Sequence, residues 1–389
     1  MDTAKWVQLS EIAALITKGT TPTTIGFDFQ DTGINFLKIE CFSEDGAFIE
    51  DKVAHISEEC HEKLKRSQLE AGDILFSIAG AIGRVAVVMK EMLPANTNQA
   101  LAIIRINRKD IYLPYIKLIL TSPIVRTQFE RKKQGVAQLN ISLKDINELE
   151  IPLPTINKQI EYATLFEKVS RIIVVRKQQL QKLDELVKSR FVEMFGAIPE
   201  SEFVTMESVC SLITDGTHQP PKFVDNGIPF LFVSNITTNE LTYDADKFIS
   251  SETYADLMKR TPVEIGDILL STVGSYGHPA VVKSDRKFSF QRHIAFLKPR
   301  RDVINSIYLH GVILTSDIQR QIDARVKGIA QKTLNLSEIR TLRFPLPPMK
   351  EQNRFAAFVA EVDKSKLAVQ QSLEKLETLK KSLMQQYFG

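Results

Sequence analysis

The side chains best suited to chemistry in this sequence stand in short polar loops, and the loops come in pairs. Lys18-Gly19-Thr20-Thr21-Pro22-Thr23-Thr24 has a counterpart in Asp215-Gly216-Thr217-His218-Gln219-Pro220-Pro221-Lys222. The run Ser77 to Arg84 is echoed by Ser271 to His278, each with two glycines three positions apart. Asn96-Thr97-Asn98-Gln99 pairs with Ser289-Phe290-Gln291-Arg292-His293, and Arg131-Lys132-Lys133-Gln134-Gly135 with Arg325-Val326-Lys327-Gly328. Short hydroxyls, amides and cations are the groups that contact phosphate oxygens and base edges. They also fill any solvated loop, so their composition alone leaves both readings open.

Motifs of catalysis are missing around these loops. There is no Gly-x-x-x-x-Gly-Lys-Ser/Thr run to cradle phosphates, no His-Glu-x-x-His, no Gly-x-Ser-x-Gly and no zinc-deaminase pattern. The pairs Gly80/Gly83 and Gly274/Gly277 lack the third glycine and the acidic follower of a dinucleotide site, and duplicated tight turns explain them better. No motif pair suggests S-adenosylmethionine binding with amino methylation. His218, His278 and His293 are isolated and read as surface or binding residues rather than catalytic bases. A duplicated chain without a catalytic constellation points to a binding protein.

Composition narrows the class further. The three cysteines, Cys41, Cys60 and Cys210, form no Cys-x-x-Cys pair, which argues against a disulfide framework or thiolate zinc site and fits a reducing cytosol. His55 and Cys60-His61 match no familiar ligand spacing, so no metal is expected. No apolar run approaches the ~18 residues that cross a bilayer. The opening MDTAKWVQLSEIAAL lacks the basic-then-apolar order of a signal peptide, so a cytoplasmic protein without membrane contact is expected. The net charge of +3 neither demands nor excludes nucleic acid, and any attractive patch must be local. A chain of 389 residues has room for two or three domains.

The elements that position the loops are written twice. Pro345 stands 193 positions after Pro152, and Gly389 stands 193 after Gly196. At that offset Gln159 falls on Gln352, Ala163 on Ala356, Val169 on Val362, Leu180 on Leu373 and Ser189 on Ser382. With small gaps the repeat extends upstream. Gly72-Asp73-Ile74-Leu75 matches Gly266-Asp267-Ile268-Leu269, and Leu120-Thr121-Ser122 matches Leu314-Thr315-Ser316. A period this long is a domain duplication rather than a solenoid.

Each repeat ends in an uninterrupted helical pattern. Lys158 to Phe195 contains no Pro or Gly, and Phe166, Ile173, Leu180, Val187 and Met194 recur every seven residues, flanked by Leu165, Val169, Ile172, Leu183 and Leu186. Phe355, Val362, Val369, Leu376 and Leu383 do the same in the second copy, beside Phe358, Leu373 and Leu379. Sustained heptads predict long helices with a coiled-coil seam. The Pro pair before each fixes an extended lead-in. Because a domain's termini tend to lie together, the second helix should run back along the first, giving an antiparallel pair about a pseudo-two-fold axis. The variable parts read as α+β. Strands are expected at Ile34–Ile39, Ala100–Ile106, Ile228–Val233 and His293–Leu297, and helices over Tyr115–Phe129 and Ile307–Ile322.

The run Lys327–Lys364, KGIAQKTLNLSEIRTLRFPLPPMKEQNRFAAFVAEVDK, with Ser372–Gly389, SLEKLETLKKSLMQQYFG, resembles the constant regions of specificity subunits from type I restriction–modification systems. Gln134–Val169 resembles the same region, departing at Asn157-Lys158-Gln159 where the second copy has the family's Glu351-Gln352, and GDILFSIAGAIG and GDILLSTVGSYG resemble its recognition-domain motif. The resemblance covers nearly the whole chain. It implies two α+β target-recognition domains joined by two long antiparallel helices, and a subunit that is not itself catalytic. Each domain would read one half of an interrupted, asymmetric site on double-stranded DNA, with half-sites about one turn, roughly 34 Å, apart. The helices would hold the halves apart and dock two methyltransferase subunits, and restriction subunits with an ATP-driven motor would join. S-adenosylmethionine, ATP and Mg would then belong to the partners, with no cofactor on this chain.

The expected layout is a first recognition domain over 1–148, a helical spacer over 149–198, a second recognition domain over 199–341 and a second spacer over 342–389. Expected DNA contacts are Lys18, Thr20, Thr21, Arg84, Asn98, Gln99, Lys133 and Gln138 in the first domain. In the second they are Thr217, His218, Lys222, Ser275, Tyr276, Arg292, Lys327 and Lys332. Two other readings compete: a coiled-coil adaptor that does not read DNA, and a self-contained nuclease or methyltransferase with unfamiliar motifs.

Overall fold

The computed structural model describes residues 5–44, 46–131, 140–328 and 332–388. The chain forms two compact units, Met1–Arg176 with Ser372–Gly389, and Lys177–Gln371. In the first, an antiparallel sheet runs in the order Leu15–Lys18, Leu101–Arg105, Ile74–Ser77, Val85–Val87. A three-stranded sheet, Ala54–Ile56, Ile34–Leu37, Ala95–Thr97, accompanies it. Alternation along the central strand divides the core. Ala102 and Ile104 join Tyr115, Ile116 and Ile119 of the helical layer, while Leu101 and Ile103 join Leu37, Phe42 and Ala95.

The second unit repeats this plan. Its main sheet runs Cys210–Asp215, Ile294–Pro299, Ile268–Ser271, Pro279–Val281, and its second runs Phe223–Val224, Phe248–Ile249, Ile228–Leu231, Ser289–Phe290. Ala295 and Leu297 pack with Tyr308, and Ile294 and Phe296 with Leu231. The strands expected at Ile34 and Ile228 stop early, each followed by a single 3-10 turn, Ile39–Cys41 and Val233–Asn235.

The two helices expected over Tyr115–Phe129 and Ile307–Ile322 are each a pair. Leu113–Leu120 is followed by Pro123–Arg131, and Ser306–Ile313 by Ser316–Arg325. Pro123 lacks an N–H and favours the first turn of a new helix. Thr315 accepts from the Ile318 N–H and so caps another.

The duplicated Gly-Asp pair is a clamp, not a contact surface. Asp73 is buried, accepts from the Glu70 N–H at 2.8 Å, and takes Arg105 Nε and Nη2 on its two oxygens at 2.7 Å each. Asp267 likewise accepts from the Glu264 N–H at 2.8 Å, but Lys298 Nζ reaches only Oδ2, at 3.1 Å. Its buried Oδ1 has no partner. Burial pushes the Asp267 carboxyl above its ordinary range, against the pull of the Glu264 N–H and Lys298.

The long helices are Ile156–Phe195 and Met349–Phe388, 40 residues each and roughly 60 Å long. Within each unit the start of one packs on the end of the other, so the pairing is antiparallel. Tyr162 and Phe166 meet Tyr387 and Phe388 in the first unit, and Phe191 and Phe195 meet Phe355 in the second. Of the seam residues, Phe166, Ile173, Phe355, Val362 and Val369 are buried, and Leu180, Val187, Met194, Leu376 and Leu383 are half-buried. Ile172, Leu186 and Leu379, expected to widen the stripe, are exposed. Ile172 and Leu186 each stand one residue, about 100° of rotation, before a seam position, which carries them onto the outer face.

A buried glutamine locks each helix to its domain. Gln159 accepts from the Tyr112 N–H at 2.9 Å and donates to the carbonyls of Asp110 and Pro154 at 3.2 and 2.8 Å. Gln352 accepts from the Asn305 N–H at 2.8 Å and donates to Val303 and Pro347 at 3.3 and 2.8 Å. Beside them Tyr115 and Tyr308 donate to the carbonyls of Pro152 and Pro345.

Two predictions follow from these buried polar contacts. Gln159→Leu or Gln352→Leu strands a buried N–H and two carbonyls and should cost about 2–3 kcal/mol in denaturant unfolding; a loss under half of one would deny the lock. Lys298→Arg should reach the unpartnered Asp267 oxygen and add about 1 kcal/mol, whereas no gain would mean the fork cannot form there.

Candidate nucleic-acid interface

The polar loops of the first unit converge because of strand direction. Leu101–Arg105 is antiparallel to both Leu15–Lys18 and Ile74–Ser77, so Lys18, Leu101, Ser77 and Val85 lie at one end of the sheet. Three loops therefore leave that end: 18–24, 96–100 and 77–84. The Thr20 N–H donates to the Thr97 carbonyl at 3.1 Å, and Gly19 lies so close to this backbone that a Cβ there would collide with the carbonyl oxygens of Thr97 and Asn98. Thr21 donates through both its N–H and its hydroxyl to Gln99 Oε1. Asn98 Oδ1 accepts from the Ala100 N–H at 3.1 Å. In the 77–84 hairpin Gly80 and Gly83 take φ of 70° and 84°, the left-handed region that glycine occupies without strain. Asn140 lies at the same end, bridging to Ala79, and the Ile141 N–H donates to the Ile78 carbonyl.

The second unit builds the same end from different side chains. Thr217 donates its N–H to the Phe290 carbonyl, and a Cβ on Gly216 would collide with the carbonyls of Phe290 and Gln291. The Arg292 N–H donates back to Thr217 at 3.1 Å. His218 Nε2 lies 2.9 Å from Asp215 Oδ2. Ser275 is exposed at the hairpin tip, and Tyr276 donates to Asp323 at 3.0 Å. Lys332 is exposed and its carbonyl receives the Gly274 N–H; Lys327 bridges to Thr333 and pairs with Glu338. Burial, then the charge of Arg292, lowers the His293 imidazole below its ordinary value.

Most of the expected contacts thus share a sheet end. Lys18, Thr20, Thr21, Asn98 and Gln99 cluster. Arg84 roots the neighbouring hairpin, donating to the Phe42 carbonyl at 3.2 Å and lining a cleft with Arg126 and Phe129. Thr217, His218, Ser275, Tyr276, Arg292, Lys327 and Lys332 gather on the second sheet. Lys222 stands apart, before the edge strand Phe223–Val224 of the smaller sheet. Lys133 and Gln138 lie outside the described residues. Two arginines escaped the sequence reading. Arg66 donates to Thr17 Oγ1 at 3.3 Å, and Arg260 pairs with Asp215, at matching sites beside the two loop clusters. The repeat carried their signal, because Lys65-Arg66-Ser67 and Lys259-Arg260-Thr261 stand at the same spacing before each Gly-Asp pair.

A duplicated α+β domain that gathers hydroxyls, amides and cations at one sheet end defines a sequence-reading module. The model of the type I restriction modification DNA specificity domain matches this chain over residues 1–185 and again over 200–379, and the chain belongs to that family. It is 33% identical over 146 residues to the type I restriction enzyme EcoBI specificity subunit of Escherichia coli, a match spanning 37% of this chain and 30% of that subunit. It is 23% identical over 384 residues to the putative type I restriction enzyme MjaX specificity subunit of Methanocaldococcus jannaschii, covering 90% of this chain and 85% of that one. A solved chain from a type I R-M system, reported for complex assembly and conformational transition, shares the fold with a TM-score of 0.62 at 18% identity, over 99% of this chain and 97% of that one. Two family domains in one chain are the duplication read from the sequence, and they do not favour a bare coiled-coil adaptor. Specificity subunits of this family are non-catalytic.

The glycine clamp makes a local prediction. Gly19→Ala and Gly216→Ala should break the Thr20 and Thr217 amide bonds, so hydrogen exchange at those amides rises about tenfold or more while the core strands keep their protection. Unchanged exchange would mean that the loops are not held by this contact.

Proposed function

We propose that this chain is the DNA-reading subunit of a type I restriction–modification assembly, in which each unit reads one half of an interrupted, asymmetric target. One observation carries the reading: two sheets of the same topology present two unlike sets of polar loops at the same end. A common scaffold suits a common geometry of approach to a duplex, and unlike loops suit unlike half-sites. The long helices set the spacing between the halves and dock two methyltransferase subunits, which supply S-adenosylmethionine. Restriction subunits with ATP and Mg join the same assembly, which works in the cytoplasm. Lys18, Arg84, Arg292, Lys327 and Lys332 are assigned to phosphates, and Thr20, Thr21, Asn98, Gln99, Thr217, His218, Ser275 and Tyr276 to base edges, directly or through water.

The test is to express the chain with its methyltransferase subunits and map methylated adenines across a host genome. The expected outcome is one motif with two dissimilar halves separated by unread base pairs. Binding of that motif should fall linearly on a log–log scale as salt rises. A continuous or palindromic motif, or methylation that does not change when the second domain is exchanged for another, would refute the reading.

A further inference from the structure

The two sheet ends differ most at one equivalent position. Each unit places an arginine, Arg66 or Arg260, against the end of the first strand of its main sheet. In the first unit that strand ends on Lys18, exposed and without a partner among the described residues. Arg66 has only the Thr17 hydroxyl and no carboxylate partner among them. Two positive charges without a carboxylate partner among the described residues therefore stand at the strand that leads into the Thr21–Gln99 loop pair. In the second unit Asp215 takes the place of Lys18. Its side chain is 14% exposed and holds Arg260 on Oδ1 and His218 on Oδ2, while those two are 52% and 54% exposed.

The chemistry of the two arrangements diverges. An unpaired lysine and arginine suit backbone phosphates, whose oxygens offer charge and no sequence. An arginine already committed to a carboxylate contributes little to that term. A carboxylate only accepts, so His218 donates its Nε2–H to Asp215, and in that tautomer Nδ1 is the ring's acceptor. In the major groove an acceptor meets the exocyclic amino group of adenine or cytosine.

We propose that Asp215 is a specificity-determining positioning residue. By holding His218 and Arg260 on one carboxylate, it turns the second unit's loop into a reader of an amino-bearing base edge. At the same position in the first unit, Lys18 and Arg66 grip phosphates. This rests on the DNA-reading assignment above. The test uses the full chain assembled with its methyltransferase subunits, the mapped motif, and duplexes in which each base pair of that motif is replaced in turn, titrated against NaCl. His218→Ala and Asp215→Ala should each lose about tenfold or more of discrimination at one adenine or cytosine of a single half-site. Asp215→Ala should also steepen the salt slope by about one as Arg260 turns to a phosphate, and Arg66→Ala should flatten it by about one with base preference intact. Thermal melting of each variant checks that the substitutions leave the fold in place. Wild-type discrimination in both His218→Ala and Asp215→Ala overturns the proposal, as does an equal affinity loss on every duplex with His218→Ala. Failure of the parent reading looks different: the unaltered assembly would yield no methylated motif, or bind every duplex alike, and both readings would fall together.

Discussion

A buried amide on the first turns of each long helix is the contact on which the rest of the molecule depends. Gln159 and Gln352 each use both ends of the side chain, one acceptor and two donor bonds, on backbone groups of the adjoining domain. A helix so tied cannot roll without stranding several polar groups in an apolar environment, where each costs a sizeable fraction of a domain's net stability. The tyrosine bonds to Pro152 and Pro345 fix the lead-in strand next to it. Helix direction is thus set by the domain core as well as by the seam, where Ile173, Val362 and Val369 are buried.

The same junction explains why the first unit draws on distant sequence. Phe388 packs among Tyr115, Tyr162 and Phe166, so residues 372–388 complete the core of a unit that otherwise ends at 176. Phe195 packs among Phe191, Tyr308 and Phe355 in the other. The aromatic contacts beyond their area favour edge-on packing, and most of these ring pairs are steeply inclined. A duplicated sequence therefore does not yield two like segments; the first core borrows the end of a helix from far along the chain, and the second is the continuous run Lys177–Gln371.

Much of this was legible in the sequence, for identifiable reasons. A heptad pattern without Pro or Gly over nearly forty residues admits few structures, and the helices begin within two residues of their Pro pairs. The central strands were legible because Leu101–Ile104 and Ile294–Leu297 are buried on both faces and read as unbroken apolar runs. The helix breaks at Pro123 and Ser316 were missed although Thr121-Ser122 and Thr315-Ser316 carried capping residues, because the apolar spacing runs on across them. Of the site, the loops were visible as polar punctuation, but their meeting was not, since it follows from strand order. Arg66 and Arg260 lay in plain view within the repeat and were passed over because they sit on the flank of a helical turn rather than in a loop. The role of Asp215 depends on two partners separated from it by 3 and 45 residues, and no local pattern announces that.

Within each sheet, stability and recognition occupy opposite ends. The buried carboxylates Asp73 and Asp267 stand immediately before the strands Ile74–Ser77 and Ile268–Ser271, and the hairpin loops follow the same strands. Four residues at about 3.3 Å each put some 13 Å between them, beyond the distance at which substitutions usually couple. Arg105 and Lys298 close the clamp from the neighbouring strand, far from the loop ends. The consequence is that loop side chains can change charge, as Lys18 and Asp215 do, without touching the groups that hold the sheet together. The rigid demands at the loop end fall on glycines that both units keep: Gly19 and Gly216 beneath the neighbouring backbone, and Gly80, Gly83, Gly274 and Gly277 in the hairpins. A scaffold with a few fixed glycines and otherwise variable loop side chains lets two copies of one fold carry two unlike sets of polar groups.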